Sequence, residues 1–190
     1  IMTWMNGDVL ANGLKLHYVR TGGDKPPLVL AHGHSDNGLC WTRVARVLEA
    51  DYDLIMYDAR RHGLSDDGPG VAERHDLAKD AAGLIEALGV QKPGMFGHSM
   101  GSFIGRCYAA EYGDSLTAAI FCGSGMVPPE TCEKLGEAIE HGRLTGLVLY
   151  AHLVGETAHD GRAARKGHGN IFITGEACNF LGQIAHCLHV

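Results

Sequence analysis

Gly97-His98-Ser99-Met100-Gly101 stands between a short apolar run, Pro93–Gly97, and a stretch with helical apolar spacing, Phe103, Ile104, Cys107 and Tyr108. Glycines on both sides of a serine at such a junction point to a strained strand-to-helix turn. Side chains at the flanking positions would collide with neighbouring backbone. A strand that hands its chain directly to a helix is half of a parallel crossover. The pentapeptide therefore constrains the fold to helices packed on a mainly parallel sheet.

The remaining pattern agrees as far as residue 123. Extended segments are expected at Leu14–Arg20, Pro27–Ala31, Asp53–Tyr57, Pro93–Gly97 and Thr117–Cys122. The last four are short, mostly apolar and bounded by turn residues, as buried strands are. Between them, Trp41, Val44, Ala45 and Leu48 share one helical face, and Leu77, Ala81, Leu84, Ile85 and Leu88 share another. The expected fold is α/β: a doubly wound, mostly parallel sheet with helices on both faces, forming one domain over 1–190. Gly105 should let the helix after Ser99 lie close to the sheet.

Beyond Gly123 the pattern loosens. Pro128-Pro129 interrupts the chain and Glu130–His141 suits a helix of modest amphipathicity. Leu144–Val154 fits a strand or a helix. The stretch Thr157–Asn170 is polar and loop-like, Ile171–Thr174 is strand-like, and Phe180, Leu181, Ile184, Ala185 and Leu188 form a helical stripe. Residues 126–169 are a candidate small helical cap.

Charge excludes one class of partner. With 16 basic against 22 acidic residues the net charge is −6, and no basic run offers a nucleic-acid or anionic-membrane surface. The apolar runs are too short for a transmembrane helix, and Ile1–Asn6 lacks the basic-then-apolar pattern of a signal peptide. Six cysteines are scattered without a C-x-x-C pair, which suits buried free thiols in a reducing cytoplasm.

Two further motifs follow strands. His32-Gly33 comes directly after Leu28–Ala31, and Asp58-Ala59-Arg60-Arg61-His62-Gly63-Leu64-Ser65 comes directly after Leu54–Tyr57. His-Gly, then Asp-x-Arg-x-x-Gly-x-Ser, then Gly-His-Ser-Met-Gly, in that order over about residues 8–125, resembles the α/β-hydrolase superfamily of esterases and lipases. Trp41 stands where many members carry an aromatic residue. The resemblance implies acyl transfer to water through a Ser–His–acid triad and an acyl-enzyme on Ser99. The backbone N–H groups of His34 and Met100 would form the oxyanion hole. Two positions depart from the family: His34 replaces the usual Phe or Trp, and Arg61 the usual Gly. The first bears on the acyl pocket, the second on the tightness of the turn.

The acid and the base admit two registers. In one, Leu144–Val154 holds the acid-bearing strand, Asp160 (or Glu156 in the same loop) is the acid and His168 the base. The seven residues between Asp160 and His168 are few for an intervening helix and strand. In the other, Asn170–Glu176 is the acid-bearing strand and only His186 or His189 remains near the end. The first is favoured because it keeps both ionisable partners; Glu130 is a third candidate acid. The ordinary reading of His98 is packing and hydrogen bonding, and that of His62 and His75 is a surface loop. His141, His152 and His159 have no partner that the sequence identifies.

The reading is thus a cytoplasmic serine hydrolase of small carboxylic esters, requiring neither metal nor organic cofactor. A rival is a non-catalytic or impaired protein of the same fold that binds an apolar ligand or a partner. A second rival sees in His32-Gly33-His34-Ser35-Asp36-Asn37 a variant of the H-x-H-x-D-H metal-binding run of metallo-β-lactamase-like hydrolases. Oligomeric state has no signature in the sequence.

Overall fold

A computed structural model describes residues 4–70, 74–123 and 148–151, with the helical residues Glu130, Thr131, Glu133, Lys134 and Glu137 between. The strands are β1 (Met5–Ala11), β2 (Leu14–Arg20), β3 (Pro27–Ala31), β4 (Asp53–Tyr57), β5 (Gly94–His98), β6 (Ala118–Cys122) and β7 (Val148–Ala151). The helices are α1 (Thr42–Leu48), α2 (Arg74–Ala87) and α3 (Met100–Tyr112), and a 3-10 turn at Gly38–Trp41 leads into α1. These strands form one sheet in the order β1-β2-β4-β3-β5-β6-β7. Pairing is antiparallel from β1 to β2 and from β2 to β4, and parallel from β4 through to β7.

Alternation along the parallel strands supplies two cores. Leu28, Leu30, Leu54, Met56, Phe96, Ile120 and Cys122 face Trp41, Val44, Ala45 and Leu48 of the 3-10 turn and α1. The residues between them, Val29, Ala31, Ile55, Tyr57, Met95, Ala119 and Phe121, face α2 and α3. A sheet apolar on both faces is buried on both, which is why the strand runs are almost continuously apolar. Fully burying each large side chain stabilises by about 1.5–3 kcal/mol. Gly105 permits the close packing of α3, because a Cβ there would stand 2.8 Å from the Phe121 ring.

Chain order across the sheet reverses at β3, whose neighbours are β4 on one side and β5 on the other. The loops leaving the carboxyl ends of β3 and β5 therefore diverge and leave a crevice. The two strongest motifs, after Ala31 and at Ser99, sit there.

The five strands expected up to residue 123 are present, with β5 and β6 each starting one residue later than the sequence pattern suggested; the strand-like stretch 171–174 and the helical stripe 180–188 lie outside the described residues. The Leu144–Val154 segment, open between strand and helix, contains the strand β7. Trp41 lies in the 3-10 turn rather than in α1, yet keeps its place in that helix's core. His75 departs from the surface-loop expectation: it is the second residue of α2, where its ring pairs with Glu111. β1 was not anticipated. Cys107 and Cys122 are buried and Cys40 exposed, all three as free thiols. Among the described residues no helix is long and apolar enough to cross a membrane.

Candidate active site

Ser99 joins β5 to α3 with φ 52° and ψ −111°. Such a left-handed conformation in a non-glycine residue costs on the order of 1–3 kcal/mol and persists only where its surroundings enforce it. Three contacts enforce it here. The Ser99 N–H donates to the Cys122 carbonyl at 2.9 Å. A Cβ on Gly97 would fall 2.1 Å from the Gly101 carbonyl oxygen, and one on Gly101 would fall 1.9 Å from that of Ala31. Backbone passes where side chains would be, so both glycines are obligatory. The turn carries Ser99 to the N-terminal end of α3, where the first amides have no intrahelical acceptor and the dipole favours negative charge.

The β3 loop comes close from the other side. A Cβ on Gly33 would lie 3.6 Å from the Ser99 Cβ and 3.3 Å from His98 Nδ1. His34, exposed, follows Gly33 on this loop, and Met100 follows Ser99 as the first residue of α3. Beneath them a cavity of about 220 Å³ is lined by Asp36, Cys40, Trp41, Val44, Phe96, His98 and Cys122. Trp41 and Phe96 stack at 4.7 Å on its wall. Cys40 is exposed as a residue but lines this cavity, and partial burial, with Asp36 and Asp58 nearby, pushes its thiol up to about 12.

His32 organises the loop rather than reacting. It is 1% exposed. The Ala59 N–H donates to its Nε2 at 3.0 Å, which puts the ring proton on Nδ1, and Nδ1 lies 2.7 Å from the Gly33 carbonyl. Burial holds the ring below the usual histidine range. The Gly33 bond opposes that shift, His62 adds to it, and Asp58 and Asp36 oppose it. The peptide that the Gly33 carbonyl shares with the His34 N–H is thereby fixed in direction, with a second bond to that carbonyl from the Asp36 N–H at 3.1 Å. With both ring nitrogens engaged by protein, His32 has none to offer a metal. The metal-binding reading of His32–Asn37 fails on this and on its fold.

The Asp-x-Arg-x-x-Gly-x-Ser motif braces the neighbouring loop. Asp58, 6% exposed, accepts from the Gly38 N–H at 2.7 Å and the Leu64 N–H at 2.8 Å. A Cβ on Gly63 would meet that carboxylate at 2.0 Å. Ser65 donates its hydroxyl to the Asp58 carbonyl at 2.7 Å and accepts from the His17 N–H at 2.8 Å. Buried Arg60 holds Asp80 of α2 with two bonds, Nε at 2.5 Å and Nη2 at 2.7 Å. Arg61 keeps the tight turn that its departure from glycine put in question. It adopts φ 66°, and its guanidinium donates to the carbonyls of Asp67 and Gly70.

Among the described residues no histidine ring bonds the Ser99 hydroxyl. Asp160, Glu156, His168, His186 and His189 lie outside the described residues, as does most of the 126–169 segment. Glu130 is helical and exposed.

The sequence model of the alpha/beta hydrolase fold matches residues 26–153. The chain belongs to the alpha/beta hydrolase fold family. N-formylmaleamate deformylase of Pseudomonas putida is 37% identical over 97 residues, 50% of this chain and 36% of that protein. The 2-hydroxy-6-oxononadienedioate/2-hydroxy-6-oxononatrienedioate hydrolase of Paraburkholderia phymatum is 30% identical over 129 residues, 64% of this chain and 45% of that one. Among solved structures, the enol-lactonase of Burkholderia xenovorans superposes with a TM-score of 0.60 at 27% identity, covering 62% of this chain and 46% of the other. These alpha/beta hydrolase relatives are hydrolytic enzymes, and the chain spans less than half the length of each.

Proposed function

We propose that Ser99 is the nucleophile of a hydrolase that cleaves carboxylic esters through an acyl-enzyme. The observation that carries this is the Ser99 backbone, held at φ 52° at the head of α3 with the β3 loop beside it. A serine kept in a strained turn at the positive end of a helix is suited to attack a carbonyl carbon and to stabilise the oxygen that becomes negative.

In this reading Ser99 Oγ attacks the carbonyl while the base, His168, takes its proton. The N–H groups of His34 and Met100 hold the tetrahedral oxyanion, each contributing about 3–4 kcal/mol to the barrier reduction. The C–O bond then breaks, and the leaving alcohol receives the proton from the imidazolium. Water repeats the sequence on the acyl-enzyme to release the acid. Asp160 orients His168 and stabilises its charged form. The cavity walled by Trp41, Val44 and Phe96 suits a short apolar acyl group. Deformylation or lactone hydrolysis, which two of the relatives' names describe, would start from the same nucleophile, and ester is chosen because it demands least of the leaving group. Free thiols at Cys40, Cys107 and Cys122 support a cytoplasmic setting.

Labelling of wild type and Ser99→Ala with a fluorophosphonate probe, beside p-nitrophenyl butyrate turnover, tests the proposal. Labelling and turnover confined to wild type are expected. Absence of both in folded wild-type protein would overturn it in favour of a ligand-binding role.

A further inference from the structure

His62 sits on the loop after β4, yet its ring reaches across to the loop after β3. It packs edge-on against two histidines, with ring centroids 4.9 Å from His32 and 5.6 Å from His34. Its Nδ1 lies 2.8 Å from the Arg60 carbonyl and its Nε2 lies 2.7 Å from the His34 carbonyl. Carbonyl oxygens only accept. A neutral imidazole has one N–H to donate, so both contacts are hydrogen bonds together only when the ring carries its second proton.

The two carbonyls belong to residues held in different ways. Arg60 is anchored through its guanidinium to Asp80 on α2. His34 is exposed, and its own N–H is the proposed oxyanion donor. That N–H shares a peptide plane with the Gly33 carbonyl, which His32 holds; the next plane carries the carbonyl that His62 holds. A peptide is planar, so fixing the planes on both sides of His34 leaves its N–H no freedom to turn.

We propose that His62 is a positioning residue for the oxyanion hole, bridging the β4 loop to the His34 peptide and closing that bridge with its second proton. This deepens the reading of Ser99 as an acyl-transfer nucleophile and rests on it. Among the described residues, the titratable and charged groups around the ring are His32, His34 and Asp36 from the β3 loop and Asp58, Arg60 and Arg61 from its own loop. With a single ring proton, one of the two bonds is lost and the His34 peptide gains freedom.

The test uses the full chain with ¹⁵N-histidine and a pH titration by NMR. The His34 backbone amide should shift with the same midpoint as the His62 ring nitrogens. In His62→Gln, whose side-chain amide donates at every pH, that shift of the His34 amide should vanish. In p-nitrophenyl butyrate hydrolysis, His62→Leu should lower kcat about tenfold with KM within about twofold, as loss of alignment without loss of ground-state contact does. His62→Gln should recover most of that loss. An His34 amide indifferent to the His62 titration, or a His62→Leu enzyme with wild-type kcat, would overturn the proposal. If fluorophosphonate fails to label wild type, the acyl-transfer reading falls, while the coupling of ring to amide still decides whether the bridge exists.

Discussion

Replacing His32 by alanine separates its structural role from its protonation. The imidazole joins two loops, accepting from the buried Ala59 N–H and donating to the Gly33 carbonyl. In His32→Ala the Gly33 carbonyl keeps its bond from the Asp36 N–H. The Ala59 N–H, on a residue 2% exposed, has no such reserve, and stranding a buried donor costs about 1–3 kcal/mol. The space left by the ring adds a packing loss, and a total of about 3 kcal/mol is expected. For a chain of this size that lowers Tm by about 9 °C. Urea unfolding followed by tryptophan fluorescence measures it. The pH dependence is the sharper test. Because burial lowers the His32 pKa in the folded protein, the unfolded chain binds more protons just below pH 6.5, and wild type loses stability as pH falls through that range. The mutant lacks this contribution. The stability gap between the two should therefore narrow below pH 6.5, by at most about 1.4 kcal/mol per pH unit. A gap that stays constant from pH 7.5 to pH 5 would refute the neutral, tautomer-fixed role assigned to His32.

Other substitutions probe the frame around Ser99. Gly101→Ala drives a methyl group to 1.9 Å from the Ala31 carbonyl oxygen, which only a shift of α3 relieves; a loss of at least about 3 kcal/mol in urea unfolding and of fluorophosphonate labelling is expected. Asp80→Ala leaves the Arg60 guanidinium, 5% exposed, with Asp76 at 3.7 Å in place of its two-bond partner, and should cost about 3 kcal/mol by the same assay. Arg61→Gly relieves a left-handed arginine at the expense of its two exposed guanidinium bonds, and the balance is a Tm unchanged or raised by the equivalent of up to about 1 kcal/mol.

What could be read from the sequence depended on which residues meet their partners nearby. The parallel strands were legible because burial on both faces makes them almost wholly apolar. β1 was not: it is an edge strand, mostly exposed, and Asn6 and Asp8 interrupt its apolar pattern. Its turn was the available signal. Asn12 and Gly13 both take positive φ, at 49° and 76°, as the tightest hairpin loops require, and an Asn-Gly pair between two extended runs is the usual mark of one. The elbow was legible because its two glycines answer to close backbone contacts. The part of His62 was hidden because its bonds run to backbone carbonyls 2 and 28 residues away, which no side-chain pattern records. Asp80 resembles any other polar position on α2, and its partners Arg60 and Asn12, 20 and 68 residues earlier, reveal why an acid stands there. Asp160 and His168 were assigned from family order rather than from contacts.

The Ser99 amide is tied to Cys122 of β6, and the glycines beside it fit against Ala31 of β3 and against each other. The Cys122 and Ala31 constraints lie outside the pentapeptide itself. A chain emerging from the ribosome carries the whole motif once Gly101 is out, yet the carbonyl that pins the serine arrives twenty-one residues later and must first join the sheet. The reactive shape of Ser99 is thus timed by sheet assembly. An unfinished chain exposes an ordinary serine, and the strained one exists only in a sheet whose central strands have already docked.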